Sequence, residues 1–522
     1  MSKVLQLTGP ATFSSPNMYG LGMKLGQTVK VRDEDADTLL ATTISGVPAF
    51  TLTGLTVGDY DVSNRYMEGG IVRYDPINDV VTANGTKVGA VPDFNGTKEA
   101  AISALVSGDW SAPTRYAKAV YYLGLKRVVN GVDAAGGSSG VNSDASGLYT
   151  IELQSEVYAP YVDAGLILDG AHTATVAINL AEVVSAPDIS TTTYAACTGH
   201  KARLFSGAAT GTLPARLSST NSARLFTDEG TDSTYLASVA PAGATGYCLR
   251  GRVVYYAGSA VVTDIPFSAV DTQESVASFL SGAGMAWRAN GVAGDGITTK
   301  SLSAGGILSN QRPVGGWWVK HTTAAMNHAT VGDSVNGGQQ QSLSTARGAL
   351  FRACRDRTIE SGRPHAWACY GWNGATSALY YQRALSVLAD HDSGAANISV
   401  FWYPVMTQND SDAVAARQFR TVDIINQCKK RGILPVLVTP APYNVAGVGE
   451  QANFALMKQF AITTAAAFGI PCCDQYAAAG NPDLTVAGYK PEYGMSGSNA
   501  HPNEAAQQAM ADAWLATMRL IG

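Results

Sequence analysis

No apolar run in this 522-residue sequence approaches the ~20 residues that a membrane-spanning helix needs. Its opening, Met1-Ser2-Lys3-Val4-Leu5-Gln6-Leu7-Thr8-Gly9-Pro10, has no apolar stretch of the secretory-signal kind. The expectation is a protein without a signal peptide and without membrane insertion. Charge is sparse, at 15% of residues, and Lys+Arg (36) fall short of Asp+Glu (41), leaving net −5. Without a basic excess, binding to a nucleic-acid backbone is not expected. The seven cysteines (Cys197, Cys248, Cys354, Cys369, Cys428, Cys472, Cys473) form no CxxC pair, and no His stands beside them at ligand spacing. They read as scattered core thiols in a reducing compartment. No metal is expected: His391, between Asp390 and Asp392, reads as a solvated helix-end histidine. Gly20-Leu21-Gly22 with Gly26 lacks the apolar strand that precedes a dinucleotide-binding turn.

Apolar residues are plentiful, at 46%, and glycine is high, at 55. That is enough to bury several cores and excludes global disorder. At roughly 150 residues per domain, the length suggests about three domains. The first ~300 residues carry short alternating runs between Gly-rich turns. Val80-Val81-Thr82 leads into Asn84-Gly85, a dipeptide suited to tight hairpins. Leu148–Leu153 and Thr173–Ile178 alternate with period two, and Arg252–Tyr256 with Ala260–Val262 resemble a hairpin across Ala257-Gly258-Ser259. Ile71–Tyr74 reads as a further strand and Thr97–Val106 as a short helix. Ala202–Phe205 echoes Ala223–Phe226, read as two strands of one sheet. Many short strands of this kind predict sandwich- or barrel-like modules, here 51–185 and 186–310 after a leading segment 1–50.

From about 311 to 522 the pattern becomes strand–helix alternation. Strands are expected at Ala329–Val331, His365–Tyr370, Ile398–Val405, Leu434–Thr439 and Ile470–Cys473. Helical patterns fill 345–358, 411–430, 450–468 and 503–520. Alternation predicts a parallel sheet of about five strands between two helical layers, with ligands at the carboxyl ends of the strands. Four short motifs fall at those ends. Gly332-Asp333-Ser334 follows the first strand, and Gly371-Trp372-Asn373-Gly374 the second. Gln408-Asn409-Asp410 follows the third, and His501-Pro502-Asn503 opens the last helix.

In order, spacing and strand context, these four motifs resemble the SGNH (GDSL-type) serine hydrolases, over about residues 311–522. The resemblance implies an α/β three-layer hydrolase domain and an ester hydrolase that needs no cofactor. It assigns Ser334 as nucleophile and His501 as general base. It builds the oxyanion hole from the N–H groups of Ser334 and Gly374 and the Asn409 amide. Asp333 would hold loops. One position departs from the family: where an Asp usually stands three residues before the His, this chain has Ser498. The group that orients His501 stays open among a backbone carbonyl in a Ser–His dyad, Ser498 itself, or a carboxylate such as Glu492 or Asp474; a degenerate site is the remaining alternative. Trp372 is the candidate sugar-stacking aromatic at the rim, whereas Trp402 and Tyr403 read as core.

The whole plan, a β-rich part ahead of such a domain, also resembles bacteriophage tail spikes and tail fibres. That resemblance implies a virion tail protein made in the host cytoplasm, with 1–50 attaching to other tail proteins. It implies homo-oligomers, often trimers, and a bacterial surface glycan as partner. The reaction expected is removal of O-acetyl groups from capsule or O-antigen through an acyl-enzyme on Ser334. Two alternatives stand beside it: a non-catalytic receptor-binding or structural virion protein with a relict hydrolase fold, and a cytoplasmic lipid esterase or thioesterase.

Overall fold

The structure is a computed structural model that describes residues 113–123, most of 148–256 and most of 314–522, with short strands within 2–52 and at 80–81, 87–88, 141–142, 261–262 and 288–293. Strands of the β-rich part are β1 (Tyr116–Leu123), β2 (Leu148–Val157), β3 (Tyr161–Gly170), β4 (Val176–Ala186), β5 (Thr198–Arg203), β6 (Gly211–Leu213), β7 (Ala223–Phe226), β8 (Tyr247–Tyr256) and β9 (Arg288–Ala293). The second part follows as β10 (Val314–Thr330), α1 (Ala349–Ser361), β11 (His365–Cys369), α2 (Ser377–Asp392), β12 (Val400–Pro404), α3 (Val414–Lys430), β13 (Leu434–Val438), α4 (Val448–Phe468), β14 (Cys472–Cys473), α5 (Gln475–Ala479) and α6 (Glu504–Ile521).

The end of β10 joins β11, β12, β13 and β14 in one parallel sheet, with β10 between β11 and β12. In strand order this is 2-1-3-4-5, a doubly wound sheet whose order reverses between its first and third strands. The run Val400-Phe401-Trp402-Tyr403 shows why it reads as uniformly apolar. Val400 and Trp402 face the core shared with α1 and α6, and Phe401 and Tyr403 face the core shared with α2, α3 and α4. Each strand is covered on both faces, so alternation is lost. Trp402 stacks on Trp514 of α6 at 4.6 Å between centroids, an aromatic pair worth about 0.5–1.5 kcal/mol beyond its buried area. Trp402 and Tyr403 are thus core residues, at 0% and 1% exposure.

The border placed at 311 does not divide the sheets. The first half of the 17-residue β10 pairs antiparallel with β1 and β3, and its second half is the first strand of the parallel layer. A separate antiparallel sheet runs β5–β4–β8–β2–β9, with β6 beside β4. It packs closely on the first: a Cβ on Gly251 of β8 would meet Leu166 of β3 and Trp317 of β10 at 2.6 and 2.8 Å.

Several local expectations are corrected. Arg252–Tyr256 forms no hairpin with 260–262, because β8 is a central strand paired along its length with β2 and β4. Its ten mostly buried residues need full-length neighbours, and Val261–Val262 instead pairs with Val141–Asn142. The two Ala-Arg-Leu-Phe segments lie in different sheets, β5 against β4 and β7 against β3. Helix α2 and strand β1 were not expected. Val80–Val81 does pair with Lys87–Val88 around Asn84-Gly85. The expected strand at 71–74 and helix at 97–106 lie outside the described residues, as does much of the expected modules 51–185 and 186–310. Among the described residues no helix is long and apolar enough to cross a membrane.

Candidate active site

Register brings the motif-bearing loops to one rim. Thr330 of β10 lies level with Cys369 of β11 and Trp402 of β12. The segments that follow these strands therefore emerge side by side, where the strand order reverses and crevices form. Gly332 starts the first loop at φ +148°, and a Cβ there would strike the Asn336 side chain. Only glycine turns the chain here. The next residues form a tight turn, with Gly337 N–H donating to Asp333 O at 3.0 Å. Ser334 sits in it, 4% exposed.

His501 arrives from the other end of the chain. Its loop is held by Asn503, which caps α6 by accepting from Ala506 N–H at 3.0 Å and donates Nδ2–H to Tyr493 O at 2.7 Å. The helix is fixed in turn by the Trp402–Trp514 stack and by Trp514 Nε1–H donating to Gln475 at 3.0 Å. The outcome is His501 Nε2 at 2.8 Å from Ser334 Oγ, across 167 residues of sequence. A neutral ring protonated on Nδ1 presents Nε2 as acceptor to the serine hydroxyl, the arrangement that activates an alcohol as nucleophile.

Burial lowers the affinity of His501 for a proton, and the Asp333 charge partly restores it. Among the described residues, Asp333 is the one charge acting on the ring. Asp333 is itself 3% exposed, and burial raises its pKa against the bonds it accepts. Those come from Val335 N–H at 2.9 Å, Asn336 N–H at 3.4 Å and the Thr407 hydroxyl. Asp333 therefore ties the first loop to the third, a loop-holding role.

Asn409 lies on that third loop. Its Nδ2 donates to Ala375 O at 3.0 Å and to Thr407 Oγ1 at 3.3 Å. Ala375 follows Gly374, so the amide touches the loop after β11. Gly374 is exposed at φ +73°, and a Cβ added there would meet nothing within 4 Å, so backbone conformation rather than space calls for glycine. Asp410 closes the same loops from behind: it accepts from Ser377 N–H at 2.6 Å and Thr407 N–H at 3.0 Å, with Arg417 3.7 Å away. Thr407 and Asp410 were not singled out from sequence. A polar pair bracketing Asn409 just past an apolar strand was the available signal.

The structure takes Asp474 elsewhere. It caps α5, accepting from Ala477 N–H at 3.0 Å and Thr439 Oγ1 at 3.0 Å, with Lys458 at 3.5 Å. Glu492 is exposed on the short turn Pro491–Tyr493. Ser498 and Trp372 lie outside the described residues. His391 is half-buried rather than solvated, because its Nδ1 accepts from Ile398 N–H at 3.0 Å and closes the turn after α2. Among the described residues no cluster of three His, Cys, Asp or Glu is placed to hold a metal.

No known family model matches the chain, and no curated protein matches it. Among solved structures it is similar to a lipase/acylhydrolase from Enterococcus faecalis, at 17% identity over 38% of this chain and 96% of that one, TM-score 0.30. It is similar to an acetylxylan esterase from Geobacillus stearothermophilus, at 15% identity over 37% and 93%, TM-score 0.31. A GDSL-like lipase from Bacteroides thetaiotaomicron VPI-5482 is a third, at 14% identity over 37% and 88%, TM-score 0.28.

Proposed function

We propose that the protein is a serine ester hydrolase of the SGNH type. The observation that carries this is the 2.8 Å contact of His501 Nε2 with Ser334 Oγ at the strand-order reversal of a parallel sheet. Ser334 Oγ attacks the ester carbonyl carbon as its proton passes to His501 Nε2. The tetrahedral oxyanion is received by backbone N–H groups of Ser334 and Gly374 and by the Asn409 amide. Collapse expels the alcohol, which takes the proton from His501. Water then attacks the acyl-enzyme, with His501 as base again, and the acid leaves. No metal or organic cofactor enters this scheme.

The acyl group we assign is acetyl and the alcohol a hydroxyl of a bacterial surface polysaccharide, with the protein a homo-oligomeric component of a phage tail spike or fibre. The support is the plan of the chain: antiparallel strands β1 and β3, from the β-rich part, share β10 with the catalytic layer. Acetate release from an O-acetylated capsule, preferred over long-chain p-nitrophenyl esters, tests the substrate. Detection of the chain in purified virions tests the setting. Preference for long acyl chains would favour a lipid esterase or thioesterase instead.

A relict, non-catalytic site is the second reading, favoured by one observation: Asp333, the carboxylate whose charge acts on the His501 ring, is bonded to Val335, Asn336 and Thr407, and among the described residues no carboxylate hydrogen-bonds that ring. Turnover of p-nitrophenyl acetate separates the two. In the catalytic reading, Asn409→Ala lowers kcat by about 10²–10³, the usual worth of one oxyanion donor. The pH profile is equally specific. His501 must be neutral to act as base, and burial lowers its pKa from the ordinary 6.5. The neutral form therefore persists to lower pH, and the acid limb of kcat/KM is expected to have its midpoint below 6.5. A midpoint above that value would contradict the desolvated ring.

A further inference from the structure

Thr407 stands where three requirements meet. Its side chain is buried between the first and third loops, and its Oγ1 touches Asp333, the Asn409 backbone N–H at 3.4 Å and Asn409 Nδ2 at 3.3 Å. A threonine hydroxyl owns one proton and two lone pairs. Both Asn409 groups are donors, so they occupy the lone pairs. The single hydroxyl proton must then go to Asp333 Oδ2, the other carboxylate oxygen, Oδ1, accepting from Val335 and Asn336 N–H. The direction of every bond in the set is thereby fixed.

The consequence falls on Asn409. Its Nδ2 has two hydrogens: one makes a good bond to Ala375 O at 3.0 Å, and the other a long one to Thr407 at 3.3 Å. The long bond is the one that an oxyanion, a stronger charge-assisted acceptor, can draw away. We infer that Thr407 is a positioning residue of the reaction: its hydroxyl, pinned by Asp333, orients the Asn409 amide and holds one of its hydrogens until the oxyanion forms. This deepens the esterase proposal and rests on it. It also gives Asp333 a route to the oxyanion pocket through Thr407, beside the effect of its charge on the His501 ring.

Thr407→Val keeps the shape and removes the hydroxyl; Thr407→Ser keeps the hydroxyl. With p-nitrophenyl acetate, Thr407→Val is expected to lower kcat by about 10- to 100-fold with KM little changed, the effect of misplacing a catalytic group. A phosphonate or boronate that places an oxyanion on Ser334 should lose potency in the same proportion. Thr407→Ser should recover most of both, and its thermal unfolding should match the parent's. Thr407→Ala also lacks the hydroxyl in a smaller side chain, so if the valine variant folds poorly the alanine variant carries the same expectation: an about 10- to 100-fold lower kcat, with unchanged kcat overturning the positioning role. Unchanged kcat and inhibitor potency in Thr407→Val, with Asn409→Ala still impaired, would overturn the positioning role alone. Equal impairment of Thr407→Ser and Thr407→Val would also overturn it. If Asn409→Ala and Ser334→Ala are likewise unimpaired, the esterase proposal itself is lost.

Discussion

Ser334→Ala is expected to abolish ester turnover, lowering kcat by on the order of 10⁶-fold. The same loss is expected for His501→Ala, and the double variant should be no worse than either. The reason is geometric. With Oγ absent, the ring at 501 has no proton to remove; with the ring absent, the hydroxyl remains a weak neutral nucleophile. Two groups that act on one proton are not additive, and independent contributions would instead multiply. The measurement is single-turnover and steady-state hydrolysis of p-nitrophenyl acetate, together with the mass of a fluorophosphonate adduct. The adduct should map to Ser334 and be missing from Ser334→Ala. Activity retained in Ser334→Ala would remove the nucleophile and the mechanism with it.

The second large effect lies away from the site. The Arg224 side chain of β7, 1% exposed, reaches across to α2, pairing with Asp390 and donating to Ser386 Oγ at 2.5 Å. Its guanidinium lies 5.4 Å from the centroid of Tyr370, whose ring stacks on Tyr122 of β1 at 4.5 Å. Tyr122 in turn donates to Asp169 of β3 at 2.5 Å. Removing one member of a buried pair leaves the other charge desolvated and alone, which costs about 3–5 kcal/mol. Asp390 keeps 22% side-chain exposure, so water relieves part of the penalty and Arg224→Ala should fall toward the lower end. Replacing both partners by apolar residues should cost much less than Arg224→Ala, since no orphan charge remains. Thermal unfolding of the three variants checks the order. If Arg224→Ala unfolds with the parent, the pair contributes nothing net.

The parallel layer was legible because its signals are local. Strand ends carry the motif residues, and runs such as Val400–Pro404 are apolar on both faces whatever the neighbours are. Helix α2 carries the same local signal, Tyr380, Ala384, Val387 and Leu388 at helical spacing, directly after the loop motif that holds Gly374. The partners of β8 and β10 were not legible. Which strand pairs with a buried β-run depends on distant segments, and β8 takes β2 and β4, some 70–100 residues earlier. Likewise Ser334 and His501 could be named from their motifs, whereas Thr407 and Asp410 acquire meaning only when three loops meet. Charge at Asp333 was expected to hold loops; that it does so through a hydroxyl two residues before Asn409 depends on tertiary contact.

Strand β10 passes from the antiparallel pairing with β1 and β3 into the parallel layer within its 17 residues, and its last residue stands four before the nucleophile. The two parts share this one strand, with a register shift against β1 between Lys320 and Ala325, so paired backbone rather than a free linker joins them. On the proposed glycan reading, a saccharide held by the outer strands would be linked to the reactive oxygen through this shared strand, and the spacing of acyl groups along the polymer would then matter as much as their chemistry.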